Sequence, residues 1–328
     1  MPKRVVDLRW RDRPLLNIAS YGRRGPGERL VLTSAEIAHA SRTARGVPEV
    51  LIKVSGGART IRGVASHLEY LEKRADLETD DGAVLTQKGL ARELLKDWDL
   101  EVDERRRHTQ RGIAAGRKPP KLVHNLVFSM PKGTPPDKLH KAVKKFATEK
   151  FGAQHRYAMA LHTDQGHPHV HVVVKAVSER GERLNIYKAT LREWRQDFAQ
   201  YLRDYGIEAN ATERAVRGSY HQNRKPGIYR AAARGDSSFM RERAAAVARE
   251  LRGGDGQAPT EHSRLIQTRR EVERGWCALA ERMEQAGERE VAGRVRRFVD
   301  RMSRARTDRE LMAEQMLAAA RGRAPPVR

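Results

Sequence analysis

The segment Ala160-Leu-His162-Thr-Asp164-Gln-Gly-His167-Pro-His169-Val-His171-Val-Val-Val-Lys175 constrains this chain more than any other. Four of its 12 histidines fall within ten residues there. The valine run Val170 and Val172–Val174 favours extended backbone, and in a strand side chains two apart project to one face. His169 and His171 therefore project together. The preceding stretch, HRYAMALHT at 155–163, also reads as a strand. A short connector at 163–168 turns the chain back and brings His162 beside the pair. Three imidazoles on one face form a facial site for a divalent metal, with positions left open for substrate oxygens. A bare cluster would gather positive charge near and below neutral pH, so a metal site is the simpler account.

Asp164 has three readings: orienting an imidazole from behind, accepting a proton from a nucleophile, or capping the turn. His167 is either a further contact or a turn residue. A second chemical candidate lies in ARTIRGVASHLEYLEKRADLE, where Ile61, Val64, Leu68 and Leu71 share one face of a helix. Tyr70 falls roughly 150° from the centre of that face at 100° per residue, so the core does not require it. Taken alone it reads as a surface tyrosine. Beside a metal-binding histidine strand in a basic protein it reads as a covalent nucleophile, one that needs a base or nearby positive charge. A phosphotyrosine ester would conserve the energy of a phosphodiester for rejoining, without ATP.

The charge balance supports a polyanionic partner. The 328 residues carry 65 Lys and Arg against 42 Asp and Glu, a formal charge of +23, which makes nucleic acid the leading partner and an acidic membrane surface the second. Arginine accounts for 49 of the basic residues, and its planar fork grips phosphate at two points. A single cysteine, Cys277, excludes an intrachain disulfide framework and a cysteine-rich zinc site. No run of 18 apolar residues exists, so no membrane insertion is expected, and MPKRVVDLRW lacks the apolar core of a secretory signal.

Three regions are expected. Residues 1–47 form a basic arm rich in Arg, Gly and Pro, ending in a short helix capped by Thr33 or Ser34 with Glu36. Residues 48–220 form a compact unit with strands at 49–54, 121–130, 155–163 and 169–177 and helices after Ser55-Gly56-Gly57, at about 135–151 and at about 190–205. Within it, 76–120 reads as an insertion: an acidic stretch, a charged helix near 86–107 and the basic connector GRKPPK. Residues 221–328 are basic and mainly helical, with a disordered end. The order of elements predicts an α+β fold, an antiparallel central sheet with helices on one side.

At VLIKVSGGARTIRGVASHLEYLEK, KLVHNLVFSMPKGT, LHTDQGHPHVHVVVK and YGIEANATERAVRG the chain resembles the HUH-type relaxases of conjugative and mobilisable elements, in particular the MOB-P group of mobilisation nucleases. These stretches span about half of the chain, from about 50 to 218. The resemblance implies a five-stranded antiparallel sheet flanked by helices. The strand missing from the pattern is then expected in 1–47 or 181–188. It also implies nicking and closing of one strand at an origin of transfer. Tyr70 would attack the phosphate, leaving a 5′-phosphotyrosine and a free 3′-hydroxyl. His162, His169 and His171 would bind Mg²⁺ or Mn²⁺, and Asp164 would match the aspartate of the metal motif.

The same resemblance makes Ser129 the middle-motif serine beside the nick; Arg59, Lys132 and His167 are further candidate DNA contacts. The partners implied are single-stranded and supercoiled DNA at an origin of transfer, relaxosome accessory proteins and a type IV coupling protein. The site of action would be the bacterial cytoplasm, the protein travelling with the strand it cuts. The alternative is a rolling-circle replication initiator or transposase with the same chemistry. In that case the nucleophile would follow the histidine motif, as Tyr201 or Tyr205, whereas Tyr70 precedes it.

Overall fold

A computed structural model describes residues 18, 32–85, 89, 91–103, 119–164, 166–219, 230–232, 234–253, 260–303 and 306–322. The chain divides into two compact units, one of residues 47–211 and one joining 1–46 to 212–328. The first carries a six-stranded, wholly antiparallel sheet of β1 (Leu51–Gly56), β2 (Leu77–Thr79), β3 (Val84–Leu85), β4 (Val123–Ser129), β5 (Tyr157–His162) and β6 (His169–Lys175). Their order across the sheet is β1-β4-β6-β5-β2-β3. The four strands legible in the sequence are β1, β4, β5 and β6. The strands it concealed are β2 and β3, within the acidic stretch; of the two places expected, most of 1–47 lies outside the described residues, and near 181–188 Val177 and Arg183 form only an isolated bridge.

Helices cover both faces, not one. In antiparallel pairs, residues directly opposite share a face. Val173 of β6 and Ala158 and Ala160 of β5 therefore point one way. They pack with Val64, Leu68 and Leu71 of the helix Ile61–Glu72 (α2), and with Leu94 and Leu95 of Ala91–Asp97 (α3), Trp98 and Leu100. The opposite face holds Phe128, whose ring meets Phe146 of Pro136–Lys150 (α4) at 4.9 Å and Phe198 of Lys188–Asp204 (α5) at 5.1 Å. An alternating strand buried on one side only would leave the valines Val170, Val172 and Val174 wet; here they are fully buried, with α4 packed on their strand.

The acidic stretch is structural rather than peripheral. Leu77 is fully buried, and Glu78 pairs with His140 at 3.1 Å and with Lys144, tying β2 to α4. Asp80 and Asp97 pair with Arg156, just before β5. Of the expected charged helix near 86–107, residues 86–88, 90 and 104–107 lie outside the described residues, as does the stretch that follows to 118.

Entry into α2 is set by Gly57, at φ +146°. A Cβ there would stand 2.3 Å from the carbonyl oxygen of Val123, so only glycine lets the chain turn this close to β4. Thr60 then caps α2 by accepting from the amide of Gly63 at 3.2 Å.

In the second unit, Thr33 caps Ser34–Arg45 (α1) through a reciprocal capping box with Glu36, and Gly46 closes it in the left-handed conformation. This helix, expected within a separate arm, packs Ala40 and Ala44 with Trp276, Leu279 and Met283 of Thr260–Gln285 (α7) and Ala292 and Val295 of Arg289–Asp300 (α8). The apolar positions of α1 need such a partner, which the basic sequence around them obscures. Ser238–Gly253 (α6) and Asp308–Ala320 (α9) pack together through, among others, the Glu250–Arg309 ion pair. The terminal residues 323–328 lie outside the described residues. No helix among the described residues is long and apolar enough to cross a membrane.

Phe146 is the centre of the aromatic core, in ring contact with Phe128, Phe151, Trp194 and Tyr201. Phe146→Ala should destabilise the protein by about 3–5 kcal/mol, read as a lowered midpoint in urea unfolding.

Candidate metal and nuclease site

The β5–β6 hairpin places the three histidines by register. His162 stands opposite His169, and on the next rung of the same face Ala160 stands opposite His171. The rings lie 5.3 Å (His162–His169), 4.7 Å (His162–His171) and 5.1 Å (His169–His171) apart between centroids. One ring nitrogen from each lies within 4.8 Å of those of the others. His162 is buried and the other two are half-buried. The ring of His169 is oriented by the loop, its Nδ1 hydrogen-bonded to the carbonyl of His167 at 3.0 Å. That bond requires a proton on Nδ1 and leaves Nε2 with a free lone pair.

The donor set fits a divalent cation. His162 Nε2 and His171 Nδ1 are buried without a hydrogen-bond partner. Burial, reinforced by the neighbouring rings, lowers the proton affinity of His162 and brings that of His171 to about 4. The Asp164 carboxylate opposes the shift at both rings but does not overcome burial. Neutral imidazoles with unused lone pairs are the form in which histidine binds metal.

Around the trio the structure gathers some of the expected residues and separates others. Ser129 stands opposite His169 on β4, sharing its face, with Oγ 3.4 Å from the carbonyl of Pro168. The amide of Met130 also donates to Pro168, joining the exit of β4 to the histidine loop at 3.3 Å. Lys132 is exposed in the turn just beyond. The side chain of His167 is exposed, and its role here is through its carbonyl. Arg59 lies apart: it precedes α2 at the opposite end of the sheet, where Leu122 bonds Ala58 and the Arg59 Nε donates to the carbonyl of Pro119 at 2.7 Å.

Tyr70, on the sheet face that carries the trio, is 41% exposed. Its ring is stacked on that of His67 at 6.3 Å and 13°, and His67 meets the edge of His171 at 6.3 Å. Asp164 bonds none of the histidines. Its Oδ2 accepts from Arg74 at 2.8 Å, and the Arg74 guanidinium lies 4.7 Å over the Tyr70 ring. His67 and Arg74 escaped the sequence reading. The available signal was position: in HLEYLEKR they stand three before and four after Tyr70, the spacing of neighbours on a helix.

Tyr201 is buried at the α4–α5 contact on the other side of the sheet, hydrogen-bonded to Glu149, and burial raises its pKa. Tyr205 ends α5 beside α4. Neither shares the face of the trio.

The depressed imidazoles have a thermodynamic signature. Burial holds His171 and His124 at about 4, below the ordinary 6.5. Between these values the unfolded chain takes up protons that the folded chain refuses. Stability of the metal-free protein should be complete above pH 6.5 and fall as pH drops towards 4, by about 1.4 kcal/mol per unit of depression at each ring. Urea unfolding in chelator across this range checks the slope, and His171→Gln should flatten it.

Comparison with known proteins agrees with this geometry. Residues 70–207, less than half of the chain, match the family model "Relaxase: MobA/VirD2-like, nuclease domain". The chain is 29% identical over 194 residues to the T-DNA border endonuclease VirD2 of Rhizobium radiobacter, which covers 52% of this chain and 43% of that protein. It is 28% identical over 198 residues to the Rhizobium rhizogenes protein of the same name (53% and 43%), and 28% identical over 194 residues to that of Agrobacterium fabrum (52% and 41%). The chain thus spans under half the length of the curated relatives it matches. The matched region opens on Tyr70, contains the whole histidine hairpin and ends just beyond α5. Through these residues the chain resembles relaxases of the MobA/VirD2 type.

Proposed function

We propose that this chain is a relaxase that nicks and rejoins one strand of DNA at an origin of transfer. The observation that carries the reading is the placement of Tyr70 on the same sheet face as the three histidines, one ring removed from His171. His162, His169 and His171 would hold a divalent cation, Mg²⁺ or Mn²⁺. When bound, such an ion polarises a phosphate and stabilises charge that builds on its oxygens.

The protein's own residues supply the rest. The Tyr70 oxygen attacks the scissile phosphorus as the bond to the 3′ oxygen breaks. The phenol gives up its proton and the departing oxygen takes one up. The products are a 5′-phosphotyrosine and a free 3′-hydroxyl, and the reverse step restores the strand. Ser129 and Lys132, at the trio's end of β4, are placed to contact the strand beside the nick. The charge of +23 supplies affinity through phosphates, which should weaken steeply with salt. Accessory proteins of a relaxosome and a type IV coupling protein are the partners this role calls for, with action in the bacterial cytoplasm. The rolling-circle alternative is disfavoured because Tyr201 is buried across the sheet.

With a supercoiled plasmid carrying the element's own transfer origin, the wild-type protein and Mn²⁺ should give a nicked product and a covalent adduct that survives denaturation. Tyr70→Phe should remove the adduct while leaving oligonucleotide affinity within about twofold, since a ring is retained and one hydroxyl is lost. His171→Ala should weaken Mn²⁺ binding measured by calorimetry. An undiminished adduct from Tyr70→Phe would end the assignment of the nucleophile.

A further inference from the structure

We infer that Arg74 is the positioning residue for Tyr70, and that Asp164 serves the reaction by anchoring Arg74. The inference rests on the relaxase reading and adds a residue and a connection to it. Tyr70 is exposed, so core packing does not fix its ring. What surrounds the ring is His67 one turn before and the Arg74 guanidinium, 4.7 Å from its centroid, one turn after. A stacked cation restrains an aromatic ring only if the cation is itself held. Two contacts hold this one. The backbone amide of Arg74 donates to the carbonyl of Leu71 at 3.0 Å, continuing the end of α2, and its Nη1 donates to Asp164 Oδ2 at 2.8 Å.

Asp164 belongs to the loop between His162 and His169, so this bond ties the helix of the nucleophile to the hairpin of the histidines. The chemistry selects arginine. A planar guanidinium can lay its face on a ring while an edge bonds a carboxylate, whereas an ammonium offers a point charge without a face. In this arrangement the carboxylate is committed to Arg74, and the roles of proton acceptor and of imidazole orienter are not needed to explain its place in the motif.

The test is a double-mutant cycle on the full chain. Its probe is a single-stranded oligonucleotide spanning the nick mapped on the element's own origin. Arg74→Gln, Asp164→Asn and the double variant are compared in single-turnover adduct formation at saturating DNA. Each single change should slow the step about three- to thirtyfold, the size expected when a nucleophile loses a light restraint on its alignment, and the double should be no slower than Arg74→Gln. Oligonucleotide affinity, Mn²⁺ affinity and melting temperature should stay at wild-type values, and Arg74→Lys should recover little.

Multiplying losses in the double variant would overturn the inference, because Asp164 would then act by a separate route. Weakened Mn²⁺ binding in Asp164→Asn would do the same, as would unchanged rates in Arg74→Gln. A wild-type protein that forms no adduct through Tyr70 would instead overturn the relaxase reading beneath it.

Discussion

The pairing of β5 with β6 is the constraint on which the site depends. Because side chains alternate along a strand, a slip of one residue in this ladder would send His169 and His171 to the face filled by α4 and α5. The register is held from both sides. Val170, Val172 and Val174 are wholly buried on the aromatic face, and Val173 is wholly buried against α2. A slip would therefore place imidazoles in an aromatic core and valines at an open site. The histidines are located by the hydrophobic effect acting on their neighbours, not by attraction among themselves, since three imidazoles have no reason to gather unaided.

The helix α2 is fixed more firmly at its start than at its end. Gly57 and the Thr60 cap set the entry, and Val64, Leu68 and Leu71 hold the helix to the sheet. Past Leu71 the connections are polar and exposed, the Arg74 and Asp164 side chains being 40% and 48% accessible. An exposed pair of this kind contributes about 0–1 kcal/mol, and a cation over an exposed ring about 0.5–1 kcal/mol. These sums are small beside the core, so they matter to the direction of Tyr70 and hardly to folding. In the proposed role, Tyr70 would have to reach a phosphate and later release it, which a light restraint serves better than burial.

How much was legible follows from the reach of each signal. The hairpin, the face of α2 and the exposure of Tyr70 are written in periods of two and 3.6, so four strands and three helices of this unit could be read from residues alone. The strands β2 and β3 could not, being three and two residues long within an acidic stretch that looks like a surface loop. Glu78 is nevertheless buried because His140 and Lys144 meet it, partners about sixty residues away that no local pattern announces. The same limit hid the Arg74–Asp164 bond, which spans 90 residues. It also hid the packing of α1 with α7 and α8, whose charged surfaces mask a narrow apolar seam.

The hydrogen bonding of the histidines sets three of them apart without reference to motif. His124 bonds the carbonyl of Leu184, His155 that of Lys175, His39 the hydroxyl of Thr212, and His140 pairs with Glu78. Each has found a partner for at least one nitrogen, as buried polar groups generally do. Among the described residues, His162, His171 and His67 each have a buried nitrogen without a partner, as does His124 at its Nδ1, and the first three stand in one ring-to-ring chain that leads to Tyr70. Leaving one such atom unpaired in a protein interior costs about 1–3 kcal/mol, so a cluster of them is a sizeable loss that folding alone would not favour. At this cluster a cation and a phosphate would supply the missing partners.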